Sequence, residues 1–212
     1  MATPAGELAA DELAFRFLSG RFCLNLCATV GERWRRGFER LRTPEDLARW
    51  FEQAGVTGGR IEVTLVGLAQ AHILREAVYR ATMALIARRA PDPGDEQIIN
   101  AAAAAPPLIP VLRGARLSWQ APHSGAEAAA LSVVARDAID LFTGPARHRI
   151  RECASSRCGL LFVDSSRPGR RRWCSSSACG GQARATAYRQ RRSRSGRGAQ
   201  ERRPGRHDPP AR

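Results

Sequence analysis

Two cysteine pairs constrain this chain more than any other feature. Cys153 and Cys158 are separated by four residues, Cys174 and Cys179 likewise, and fifteen residues lie between the pairs. Zinc takes four soft or borderline ligands in a tetrahedron, and two cysteines a few residues apart can grip one ion from a single tight turn. Two such pairs joined by a short hairpin complete the shell. The intervening GLLFVDSSRPGRRRW suits that role. Leu160–Val163 is predicted as one strand, 165–169 as the turn and Arg170–Trp173 as the return strand, with Leu161, Phe162 and Trp173 as a small apolar cap. So short a segment buries little apolar surface, and the metal has to provide folding free energy. Scattered core cysteines fit badly with surroundings this polar, and disulfides fit badly with a reducing compartment. A shell of four thiolates from Cys153, Cys158, Cys174 and Cys179 is full, so the expected cofactor is one structural zinc with no open position for a catalytic water.

The charge is divided as sharply as the cysteines. The net charge is +14, and every one of the 34 basic residues is arginine. Residues 1–144 hold 16 arginines against 16 acids, a balance of 0, whereas residues 145–212 hold 18 arginines against 4 acids, 18 − 4 = +14. An asymmetry of this kind points to a polyanionic partner for the C-terminal part alone. The absence of lysine removes a P-loop and a lysine Schiff base from consideration. No apolar run approaches the roughly 18 residues a membrane span needs, and the opening MATPAGELAADELAF has no basic segment followed by an apolar one. A cytoplasmic protein without membrane contact is expected.

Thr43-Pro44-Glu45-Asp46 has the form of a helix start, with Thr43 as N-cap and Pro44 at the first helical position, and Gly55 is placed to end that helix. A long amphipathic pattern covers 61–90 and stops at Pro91-Asp92-Pro93-Gly94. An alanine-rich helix follows over 94–105, then two short strands about Arg113-Gly114, then a helix over 124–142. The stretch 15–30 allows either a strand or a helix after Ser19-Gly20. The N-terminal domain, 13–144, is therefore expected to be mainly α with a small β-hairpin. A zinc-knuckle, treble-clef-like domain with a basic helix follows over 145–192, and a disordered basic tail over 193–212. The basic helix is predicted to begin near Ala178, which sets Arg184, Tyr188, Arg191 and Arg192 on one broad face.

The C-terminal run Cys153…Cys158…Leu161-Phe162-Val163-Asp164…Arg171-Arg172-Trp173-Cys174…Cys179-Gly180, with Ala183, Tyr188 and Arg191 after it, resembles the CGNR zinc finger. The stretch Leu18-Ser19-Gly20-Arg21, Leu24 and Leu41-Arg42-Thr43-Pro44-Glu45-Asp46-Leu47-Ala48-Arg49-Trp50 is similar to the opening of the ABATE domain that accompanies this finger in bacterial stress-induced transcription regulators. The resemblance spans about residues 15–192 and implies a DNA-binding regulator. Two departures stand out. The family's Asn-Arg after the last Cys-Gly is Gly181-Gln182 here. Its Leu-Asp-Phe-x-Asn-Thr run is Leu24-Asn25-Leu26-Cys27-Ala28-Thr29.

The expected function is thus transcriptional regulation through nucleic acid, with duplex DNA as the partner. Arg170, Arg171, Arg172, Arg184, Arg189, Arg191 and Arg192 would contact phosphates. The N-terminal domain would sense a small-molecule signal or assemble with a second copy. An RNA-binding module has the same charge requirement. An enzyme in the N-terminal domain, with the finger as adaptor, finds no catalytic set in support. Cys23 and Cys27 read as buried thiols rather than a redox pair. His148 reads as a surface residue.

Overall fold

The structure, a computed structural model, describes residues 8–122 and 125–200, with side chains through Arg191. Its elements are α1 (Ala10–Leu13), α2 (Phe22–Cys27), β1 (Val30–Gly31), β2 (Phe38–Glu39), α3 (Pro44–Ala54), α4 (Leu65–Ile86), α5 (Pro93–Ala104), β3 (Ile109–Arg113), β4 (Arg116–Gln120), α6 (Ala126–Thr143), a 3-10 turn (Pro145–Arg149), β5 (Ile150–Glu152), β6 (Leu161–Val163) and α7 (Cys179–Gln200). The described residues form two compact units, one ending at Cys174 and one beginning at Ser175. The expected mainly helical architecture with a small N-terminal hairpin, and a basic helix after the last cysteine, is what is found.

Helix boundaries follow local chemistry. In α3 the Thr43 hydroxyl accepts the Asp46 N–H at 3.3 Å, and the Asp46 carboxylate accepts the Thr43 and Arg42 N–H groups in return. This capping box satisfies donors that the first turn leaves without partners. Gly55, at φ 74°, ends the helix in the left-handed conformation, and Val56 N–H returns to the Phe51 carbonyl. Asp92 caps α5, accepting the Gly94 N–H, with Pro93 at the first position. The β3–β4 hairpin turns through Gly114 and Ala115, both at positive φ, as a two-residue turn matching strand twist requires.

The core of the first unit is a bundle in which α2, α4 and α6 pack mutually, with α5 against α4 and α6. Alanine makes this possible. Ala71, Ala77 and Ala81 on α4 and Ala130, Ala135 and Ala138 on α6 are fully buried or nearly so, which brings the helix backbones close. Leu24, Leu26, Leu74, Val78, Val134 and Leu141 fill the layers between them. Trp50 and Phe51 of α3 are wholly buried at one side, their ring centroids 5.6 Å apart. The ambiguous stretch 15–30 is a helix at 22–27, and its Cys23 and Cys27 lie in this core. Burial pushes the Cys27 thiol up to about 12 and Cys23 well above its ordinary value, so both are inert packing groups.

The hairpin expected within the zinc-binding segment differs in its pairing. Leu161–Val163 does not pair with 170–173. It pairs antiparallel with β5, Ile150 opposite Val163 and Glu152 opposite Leu161. The 170–173 stretch instead bonds to the first cysteine loop, the Arg172 carbonyl accepting the Ala154 N–H at 2.8 Å. The reason is apolar: Ile150 and Leu161 are each 2% exposed and belong to the helical core, while Val163 N–H donates to the Ser19 carbonyl at 3.0 Å. Residues 150–163 are therefore built onto the bundle. At the other end, α7 continues to Gln200, so 193–200, expected to be disordered, are helical, while 201–212 lie outside the described residues.

This packing makes a stability prediction. Leu161→Ala should cost about 2–5 kcal/mol as a large-to-small core substitution. It should lower the melting of the α-helical signal as a whole. A variant that kept the wild-type helical melt and lost only metal binding would show β6 to be independent of the bundle.

Candidate metal centre

Cys153 follows β5 directly. Its N–H donates to the Leu160 carbonyl at 2.9 Å, which closes a loop carrying both first cysteines. Within that loop Cys158 N–H donates to the Ser155 carbonyl at 3.0 Å. The chain leaves through Gly159 at φ +64°, a conformation that favours glycine, and an added Cβ would stand a tight 3.2 Å from the Trp34 ring. Trp34 is fixed beside it by an Nε1–H bond to Glu152 of 2.5 Å.

Cys174 is placed by a second device, centred on Asp164. This carboxylate is wholly buried. Its Oδ1 accepts the Ser166 N–H at 2.9 Å and the Ser166 hydroxyl at 2.6 Å, and its Oδ2 accepts the Arg171 N–H at 2.8 Å. Arg149 donates to the carbonyls of Asp164 and Ser166 across the same turn. Burial would push the Asp164 pKa up. The donated hydrogen bonds and the Arg149 charge outweigh it and hold the pKa below its ordinary 3.8. Arg171, oriented in this way, donates from Nε to the Trp173 carbonyl at 2.8 Å and from Nη2 to the Cys174 carbonyl, with its guanidinium 5.0 Å from the Phe162 ring centre. In the second unit, the Ser175 hydroxyl and carbonyl accept the Ala178 and Gly180 N–H groups, and α7 starts on Cys179 itself.

The outcome is four sulfurs, those of Cys153, Cys158, Cys174 and Cys179, all within 4.8 Å of one another. A tetrahedral ion with bonds of about 2.3 Å to sulfur requires edges of about 3.8 Å, and the Cys158 and Cys174 sulfurs stand 3.6 Å apart. The donor set and spacing fit one structural zinc. Hydrogen bonding among these sulfurs lowers the pKa of Cys153 and raises those of Cys158 and Cys174. Zinc bound here would neutralise thiolate charge, close the fold of the knuckle and leave no open coordination position.

The arginines named from sequence divide into two kinds. Arg171 is half-buried and occupied with backbone carbonyls. Arg170, Arg172, Arg184, Arg189 and Arg191 are exposed, and the side chain of Arg192 lies outside the described residues. Arg172 sits 5.1 Å from the Trp173 ring centre, and Arg184 donates to the Ser176 carbonyl at 3.0 Å. The two positions that depart from the family pattern near the N-terminus have separate surroundings. Asn25 accepts the Ser19 N–H with Oδ1, whereas Ala28 lines a cavity of about 60 Å³ shared with Cys158. In sequence, Asp164 was visible only as one member of the finger pattern; its organising role needed the fold.

Asp164→Asn should destabilise the protein by about 1–3 kcal/mol at neutral pH, because an amide N–H would then face the Arg171 N–H or the Ser166 donors. The folded pKa lies below the unfolded one, so the wild-type contribution is complete above the ordinary 3.8 and is lost as the pH falls through the lower folded value. The difference between variant and wild type should shrink in acid. Equal urea stability of the two at neutral pH would show that the carboxylate does not organise the turn.

Comparisons with known proteins agree with the geometry. No curated protein matches the chain. The model of the CGNR zinc finger matches residues 149–192, and with it all four cysteines. The ABATE model, described as "Putative stress-induced transcription regulator", matches residues 20–145, more than half of the chain. The chain belongs to the ABATE family and carries a CGNR zinc finger after the ABATE domain.

Proposed function

We propose that the protein is a zinc-dependent, DNA-binding transcriptional regulator in which the finger and α7 grip the phosphate backbone. One observation carries the reading. Within residues 12–140, arginines such as Arg21, Arg33, Arg75 and Arg80 meet carboxylates in ion pairs. Among the described residues Arg170, Arg172, Arg184 and Arg189 enter none. Exposed guanidinium groups in a segment with 18 arginines against 4 acids are suited to phosphates, which they bind in a forked geometry. Zinc holding Cys153, Cys158, Cys174 and Cys179 would fix the loops that carry Arg170 and Arg172. It would also fix the start of the helix that carries Arg184, Arg189, Arg191 and Arg192. Arg171 acts within the fold, as the clamp on the Cys174 backbone. The N-terminal domain would supply sensing or assembly. The Gly181-Gln182 departure removes one arginine from the first turn of α7. Nothing lies within 4 Å of an added Cβ at Gly181, so its replacement by the family's asparagine is sterically open.

Duplex DNA affinity should fall steeply with salt, with a log–log slope of about −4 to −5 if roughly five phosphates are met. Replacing Arg170, Arg172 and Arg184 together by alanine should flatten that slope by about 2–3, while Arg171→Ala should lower stability first. Fluorescence anisotropy across a salt series measures both, and structured RNA as competitor identifies the preferred nucleic acid. A slope indifferent to salt, or to the triple substitution, would contradict the reading.

A further inference from the structure

The unit ending at Cys174 contains a cleft of about 1200 Å³ that has no part in the metal centre. It opens beside the C-terminal ends of α4 and α6 and is bounded by α5, the 3-10 turn and β5. Its apolar side is made by Leu85, Ile86, Ile99, Ile139, Phe142 and Ile150. Its polar side is basic: Arg88, Arg89, Arg147 and Arg151 face two acids, Glu96 and Glu152, 4 − 2 = +2 with His148 neutral. None of the four arginines forms an ion pair among the described residues. Arg151 is anchored by bonds to the His148 and Ile150 carbonyls, Arg147 touches His148 Nε2 at 3.1 Å, and Glu152 is held by Trp34. Arg88, two residues beyond α4, takes the left-handed conformation of a helix C-terminus at φ 57°, its N–H returning to the Leu85 carbonyl.

We propose that this cleft binds a small amphipathic anion, with a carboxylate or phosphate head on the arginine rim and an apolar body on the aliphatic wall. Drug-sized ligands occupy pockets of about 300–1,000 Å³ lined by apolar side chains with a few placed polar groups, and this cleft has room for one. Guanidinium pairs take either anion bidentately. Occupancy has a short route to the metal centre. Ile150, Arg151 and Glu152 line the cleft, and the next residue is Cys153. A ligand seated against β5 therefore alters the strand that positions the first cysteine. The inference gives the sensing role of the N-terminal domain a ligand class and in that respect rests on the regulator reading. The binding step itself involves no nucleic acid.

The test is calorimetric titration of the zinc-loaded full-length protein with decyl phosphate and with decanoate, below micelle formation. Inorganic phosphate and decyltrimethylammonium serve as controls. Saturable one-to-one binding of at least one anionic amphiphile is expected, with both controls weaker by about tenfold or more, the equivalent of one charge-assisted contact. The phosphate and carboxylate arms identify the head group. Arg88→Glu with Arg147→Glu, both exposed positions, should weaken binding by a similar factor or more and leave the melting curve unchanged. Decyl phosphate or decanoate, whichever binds, should change the rate of zinc release to a chromophoric chelator in the wild type and not in the double variant. Equal binding of the cationic amphiphile, undiminished binding by the double variant, or a zinc-release rate indifferent to the bound anion would overturn the proposal. So would loss of duplex DNA affinity in the double variant when neither anion binds the wild type, since that would give the cleft to nucleic acid. Failure of the protein to bind DNA at all would leave the titration result intact.

Discussion

Asp164 is a fully buried carboxylate that receives three hydrogen bonds from residues on both sides of one turn. A buried charge is tolerated only when its lone pairs are filled, and the ways of filling them here dictate the chain path. The turn must bring Ser166 to one oxygen and the Arg171 backbone to the other. Arg171 then points at the Cys174 carbonyl, and the Arg172 carbonyl meets Ala154 in the first cysteine loop. Cys174 is thereby registered against the first cysteine loop before any ion is considered. Zinc would complete the arrangement by drawing charge from four thiolates whose spacing already suits it.

The same segment is tied to the helical bundle. Ile150 and Leu161 are core residues, and β5 and β6 pack against α4 and α2 of the bundle. Changes in the bundle can therefore reach Cys153 through a single short strand, and the basic cleft lies along that strand.

Much of this was legible in the sequence. The Cys153, Cys158, Cys174, Cys179 spacing names the metal and its ligands because thiolate coordination has few geometries. Thr43-Pro44 and Gly55 mark α3 because capping is local chemistry. The charge division between 1–144 and 145–212 is arithmetic. What escaped was non-local. Leu160–Val163 has β-forming residues but says nothing of its partner; β5 wins because Ile150 and Leu161 share a buried face. The role of Arg171 could not be separated from those of Arg170 and Arg172 along a run of identical residues. Only the Asp164 turn distinguishes the one that bends back onto the backbone. The cleft was likewise hidden, because Arg88 and the stretch carrying Arg147 and Arg151 converge from segments far apart in sequence.

The most direct measurement is zinc content and duplex DNA affinity of the full-length protein, taken as purified, after chelation and after zinc is restored. One zinc per chain is expected, with DNA affinity lost on chelation and regained on restoration. DNA affinity that persists undiminished without zinc would contradict a regulator whose grip on nucleic acid depends on the four-cysteine centre.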